Sequence, residues 1–136
     1  NCDQDFTITI MRRMMYRIAT QIAENNNDLA LLTGESIGQV SSQTLENISV
    51  ISAVTNKPIF RPLITRNKQE IIEIAKDIGT YETSILPHED CCTIFVPDHP
   101  VTKPTLAEVK QVEENLEVEK LIERAVANTE ILKIKE

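Results

Sequence analysis

No apolar run in this 136-residue chain approaches the ~20 residues a membrane-spanning helix needs. The opening Asn1-Cys-Asp-Gln-Asp carries neither an initiator Met nor the basic and apolar regions of a signal peptide, which implies a piece of a longer chain and no membrane attachment. Basic charge is also scarce. The net charge is −7, and phosphate contacts need clustered Lys and Arg, so autonomous nucleic-acid binding is not expected. Glycine is limited to three residues, and no GxGxxG, Walker or Ser-Gly-Gly-x-Asp-Ser loop is present, so a self-contained nucleotide site is not visible. The cysteines, Cys2, Cys91 and Cys92, are odd in number and have no secretory signal, which favours a reducing, cytoplasmic compartment. Internal repeats and low-complexity tracts are missing as well.

What is present is one domain's worth of chain with ordinary globular composition. Ile10, Met14, Met15, Ile18, Ala19 and Ile22 recur at helical spacing and predict a helix from Thr7 to about Glu24, ended by Asn25-Asn26-Asn27. A short apolar run at 29–33 reads as a buried strand. A helix capped by Ser41 or Ser42 follows, its inner face formed by Leu45, Ile48, Ile51 and Val54. Ile59–Ile64 reads as a second strand, with Pro62 at its end or near an edge. Next comes a helix begun at Thr65 or Asn67, with Ile71, Ile72, Ala75 and Ile78 inward and Gly79 at its C-terminus. Strand, helix, strand and helix at this spacing imply an α/β fold with a parallel sheet covered by helices. Residues 80–104 form a proline-rich stretch without periodicity. Helical patterns at 106–115 and 118–127 precede a short strand pattern at 131–134, and most of the glutamates after Lys103 are expected on a solvated face.

The segment with the most chemical content is Leu29–Thr44, in which an apolar strand stops at Thr33-Gly34 and gives way to small polar residues. In open α/β sheets ligands bind beyond the carboxyl ends of strands. Gly34 and Gly38 would let a ligand approach bare backbone, although any strand-to-helix turn also uses glycine. Gln39, Ser41, Ser42, Gln43 and Thr44 supply donors and acceptors suited to a nucleotide, or else serve as helix caps. Arg12 and Arg13 read as surface groups at the edge of an apolar stripe or as forked donors to a phosphate or base. Cys91 and Cys92 read either as loop packing or as a thiol activated from a distance, since Glu89 and Asp90 beside them would raise a thiol pKa. A zinc site from His88, Cys91, Cys92 and His99 has poor ligand spacing, and no metal ligands are assigned.

Four motifs together have a specific likeness. Met11-Arg-Arg-Met-Met15, the stretch Leu32–Leu45, Arg61-Pro-Leu-Ile64, and Lys68 with Ile71-Ile72 resemble the tRNA 4-thiouridine synthase family, the tRNA sulfurtransferases also tied to thiamine thiazole synthesis, from about Thr7 to Thr105. The resemblance implies the C-terminal part of a PP-loop catalytic domain, an adenine-nucleotide α-hydrolase-like α/β fold: 1–105 as core and 106–136 as a helical extension. The upstream pyrophosphate loop and THUMP region are absent from this sequence. It further implies use of ATP and Mg2+ to adenylate a tRNA uridine, whose oxygen is then replaced by persulfide sulfur that a cysteine desulfurase first supplies. Arg12, Gly34 and Gln43 match the family's ATP contacts, and Cys91 its catalytic cysteine. The turn reads Pro87-His-Glu-Asp-Cys-Cys92 where relatives carry a Pro-Glu-Tyr-Cys-Gly-like sequence, so Cys92 replaces a glycine. On this reading the isolated piece is inactive toward tRNA.

Two other functions fit the same features. One is assembly, with the late helices or the Arg12 helix forming a homodimer interface. The other is adenylation of a different substrate on the same fold.

Overall fold

The computed structural model describes residues 4–87, 97 and 99–134. Its spine is α1 (Thr7–Asn25), uninterrupted by proline. Its buried face is Ile8, Thr9, Ile10, Arg13, Tyr16 and Ala23, whereas Met15 is exposed and Met14, Ile18 and Ile22 are half-buried. The apolar stripe expected from sequence is therefore rotated toward a stripe containing polar residues. The chain turns at Asn27, whose φ of 62° is left-handed, a conformation asparagine tolerates better than most residues.

Two short strands follow, β1 (Leu31–Leu32) and β2 (Ile59–Phe60), paired in parallel with Leu31 opposite Ile59 and Leu32 opposite Phe60. Between them lie a 3-10 turn at Ser41–Gln43 and α2 (Leu45–Ser52). A helix between parallel strands makes a β-α-β unit, the arrangement expected from the sequence, although both strands are shorter than the apolar runs that announced them. Successive strand residues face opposite sides of the sheet. Leu31 and Ile59 pack on the core, while Leu32 and Phe60 are 74% and 61% exposed. The core joins Ile10 and Tyr16 of α1, Val50 and Ile51 of α2, and Val109.

Thr44 caps α2 by accepting from the Asn47 N–H, in place of the expected Ser41 or Ser42, because the 3-10 turn occupies those two positions. Leu45, expected inside, is exposed. The next helix, α3 (Lys68–Asp77), starts with a reciprocal capping box between Asn67 and Glu70. Ile71, Ile72 and Ala75 are half-buried, but Ile78 is exposed because the helix ends before it and the chain reverses at Gly79, φ 73°. A single turn, α4 (Tyr81–Ser84), comes next. Thr105 and Glu108 form a second capping box that opens α5 (Leu106–Glu113), and α6 (Val118–Ala127) packs on α1. Residues 131–134 are not a strand: they lack regular structure, and Ile131, Leu132 and Ile134 are exposed. No helix among the described residues is long and apolar enough to cross a membrane.

Candidate nucleotide site at the Thr33–Gln43 turn

Beyond the end of β1 the backbone is held by hydrogen bonds to its neighbours rather than by a helix. The Thr33 N–H donates to Phe60 C=O at 2.9 Å and the Ile37 N–H to Ile64 C=O at 3.0 Å, which ties the turn to the segment after β2. Ser36 Oγ donates to Arg66 C=O at 2.6 Å. The Ser36 N–H donates to Gln43 Oε1 at 3.2 Å, and the Gly38 N–H to Gln43 C=O at 2.9 Å. Gln43 thus closes the turn on itself with one side-chain and one main-chain acceptor. Gly38 has φ 77°, so a Cβ-bearing residue there would be strained.

Gly34 differs from Gly38. Its backbone is outside the left-handed region, and a Cβ placed on it would meet no atom of the described residues within 4 Å. Neither conformation nor packing within the described chain demands glycine there. The space in front of it is open.

Next to Gly34, Glu35 is 2% exposed and forms a dense set of contacts. Its Oε1 pairs with Arg12 Nη2. Its Oε2 accepts from Arg61 Nε at 2.6 Å, Tyr16 Oη at 2.6 Å and Thr33 Oγ1 at 3.1 Å. Arg61 Nη2 also donates to Ser52 Oγ at 2.6 Å. Burial alone would raise the Glu35 pKa, but the Tyr16 hydrogen bond and the Arg61 and Arg12 guanidinium groups hold it below the usual carboxylate range. Tyr16 moves upward, through burial first and its hydrogen bond to Glu35 second. The phenol therefore stays a donor throughout the physiological range. Two guanidinium groups face one carboxylate, so the cluster keeps an excess positive charge. Arg12 Nε is a buried donor without a hydrogen-bond partner among the described residues.

A second group resembles it in composition. Glu113 accepts from both Arg13 and Arg17, and Arg13 Nη1 also reaches Val50 C=O. Burial opposes this charge, yet Arg17 and Arg13 pull the Glu113 pKa down to about 2. Glu113 is an exception to the solvated face expected of most late glutamates: it is buried, because α5 lays it across two arginines of α1. Arg13, expected at a surface edge, is buried for the same reason.

The structure therefore brings three of the four sequence-derived site residues to one turn: Gly34 within it, Gln43 through Ser36, and Arg12 through Glu35. Cys91 and Cys92, with His88, lie outside the described residues. Among the described residues no group of three or more His, Cys, Asp or Glu is arranged to hold a metal ion. Sequence reasoning missed Glu35, Tyr16 and the role of Arg61. A signal existed: Thr9, Arg13, Tyr16 and Thr20 recur at intervals of three and four on α1, a polar stripe with the period of a buried face.

Residues 1–118 match the family described as thiamine biosynthesis protein (ThiI). The chain is 61% identical over 137 aligned residues to the probable tRNA sulfurtransferase of Halothermothrix orenii, an alignment covering 99% of this chain and 35% of that protein. It is 56% identical over 136 residues to the probable tRNA sulfurtransferase of Finegoldia magna, covering 100% of this chain and 35% of that protein. Among solved structures, the crystal structure of a 4-thiouridine synthetase in complex with RNA, with bound ATP, superposes with a TM-score of 0.86 at 42% identity, over 93% of this chain and 33% of that one. The chain thus spans about a third of the length of the relatives it matches.

Proposed function

The chain belongs to the thiamine biosynthesis protein (ThiI) family, and from that membership we propose that it is the part of a tRNA sulfurtransferase that completes the ATP site and carries the sulfur-relay cysteine. Arg12 offers guanidinium donors to the nucleotide, Gly34 leaves room for it against bare backbone, and Gln43 fixes the turn through its amide oxygen and offers its amide nitrogen as a donor to the nucleotide. Bound ATP supplies the adenylyl group that activates the uridine oxygen for replacement by sulfur. Cys91 takes part in handing on persulfide sulfur first mobilised by a cysteine desulfurase: the outer sulfur attacks the activated carbon as AMP leaves, and a second thiol closing a disulfide on the inner sulfur frees the product. The tRNA substrate and a role in thiamine thiazole synthesis follow from the family. Mg2+ accompanies the nucleotide, and we assign it no ligand in this chain.

The observation that carries this reading is Gly34, a glycine required by neither its backbone conformation nor its surroundings among the described residues, next to Glu35, whose partner Arg12 has a buried N–H donor without a hydrogen-bond partner among those residues. Such a combination fits an anionic ligand approaching closely, and the RNA-bound relative holds ATP. The test uses the full-length protein that carries this segment. Arg12→Ala is expected to weaken ATP binding, measured by calorimetry, at least tenfold and to lower 4-thiouridine formation in parallel. Unchanged ATP affinity would remove the nucleotide reading.

A further inference from the structure

Glu35 sits where a carboxylate is least expected, one residue from the glycine proposed to admit a polyanion. An isolated buried carboxylate beside a phosphate site would repel the ligand and incur a large desolvation penalty. Here it is fully engaged: Arg12 on one oxygen, and Arg61, Tyr16 and Thr33 on the other. Arg61 is anchored a second time by Ser52 Oγ, which belongs to α2. The carboxylate therefore links α1, the turn, the start of the segment after β2, and the end of α2. Such a link fixes the rotamers of two long side chains whose freedom would otherwise be lost on binding ligand.

We propose that Glu35 is a positioning residue for nucleotide phosphate: it orders Arg12 and Arg61 in the free protein so that their excess positive charge is already aimed at the open space before Gly34. The inference rests on the nucleotide reading above and adds a residue to it. Glu35 touches no ligand in this scheme. It acts through Arg12, leaving that side chain's buried Nε as a donor still unsatisfied among the described residues. One carboxylate between two guanidinium groups suits this task better than two, since a second would cancel the charge the ligand needs.

The experiment is a double-mutant cycle in the full-length protein, read by calorimetry with ATP and, separately, with adenosine, which lacks the phosphates. Glu35→Gln is expected to weaken ATP binding about tenfold and adenosine binding less than twofold. In the Arg12→Ala background the same substitution should cost ATP clearly less than its tenfold effect in the parent, about threefold, because one of the two side chains it orders is gone. Tyr16→Phe removes one donor to the carboxylate while keeping all charges, and serves where Glu35→Gln does not fold; about threefold weaker ATP binding with unchanged adenosine binding is expected. Full additivity of Glu35→Gln with Arg12→Ala, or equal losses for ATP and adenosine, would overturn the positioning role. So would unaltered ATP affinity in Tyr16→Phe. Arg12→Ala with undiminished ATP affinity defeats the nucleotide reading itself, a result distinct from a loss in Arg12→Ala that Glu35→Gln fails to share.

Discussion

Arg17 and Glu113, 96 positions apart, meet through two parallel hydrogen bonds, Nη1 to Oε1 at 2.6 Å and Nη2 to Oε2 at 2.9 Å. Arg13 grips the same carboxylate at 2.9 and 2.8 Å. The two guanidinium groups clamp the last turn of α5 onto α1. Bidentate pairs of this kind are among the stronger charged contacts in proteins, and here both partners are largely withdrawn from water.

Removing Glu113 leaves two arginines without a counter-charge in a buried position. Glu113→Gln should lower unfolding free energy by about 3 kcal/mol, the range found when a buried pair loses one member. The pH dependence has a definite sign. The folded pKa of about 2 lies below the ordinary value of 4.5, so the unfolded chain takes up the proton first as pH falls. The contribution is complete above pH 4.5, declines between 4.5 and about 2, and is lost below. Urea titrations at pH 6 and 3.5 test both points: Glu113→Gln should show a flatter acid limb than the parent protein.

Asn47 is a second buried junction. Its Oδ1 accepts from Thr9 Oγ1 at 2.8 Å, and its Nδ2 donates to Val101 C=O at 3.0 Å and Ser41 C=O at 3.2 Å. Asn47→Ala strands these partners and should cost about 2–3 kcal/mol. Asn47→Asp keeps the shape but removes the donors, so it should be nearly as damaging. A thermal midpoint unaffected by Asn47→Asp would show that the donors to 101 and 41 are dispensable.

The two glycines of the turn should respond oppositely to alanine. At Gly38 the φ of 77° makes Ala unfavourable by about 1–2 kcal/mol, visible as lost stability. At Gly34 the backbone accepts Ala and its methyl meets no atom of the described residues, so stability should hold while ATP affinity drops. Denaturation and calorimetry on both variants separate the roles; a stability loss confined to Gly34→Ala contradicts this assignment.

Cys91→Ser in the full-length protein should abolish 4-thiouridine formation and leave ATP affinity unchanged, whereas Cys92→Ser should retain most thiolation. Mass spectrometry of the digested tRNA reads the product directly. Sustained thiolation by Cys91→Ser transfers the relay to another thiol.

The β-α-β order was readable because apolar runs and turn residues act locally: Pro58 and Asn67 mark boundaries by backbone rules alone. Arg12, Gly34 and Gln43 were reached by resemblance; the strand end marked the turn that holds Gly34 and Gln43, whereas Arg12 joins it only through Glu35. The pairing of Glu113 with Arg13 was not legible, since a charged residue in a helix is solvated unless a distant partner covers it, and here the partners lie on another helix. Glu35 went unremarked for the same reason: its four partners come from α1, the turn and the chain after β2. Leu45 and Ile78 show the converse, apolar residues at inward spacing that stay exposed among the described residues. Helical period identifies a face but does not supply what covers it.

Neighbouring residues on a helix project about 100° apart, and Arg12 and Arg13 use that divergence to serve two different carboxylates from one rod. Thr9, Tyr16 and Arg17 attach the same rod to three junctions in all. Rolling or sliding α1 would break every one of them together, so the turn cannot be retuned independently of the carboxyl-terminal helices. The helix on which the late segment is seated is thus the same one that carries Arg12 to Glu35.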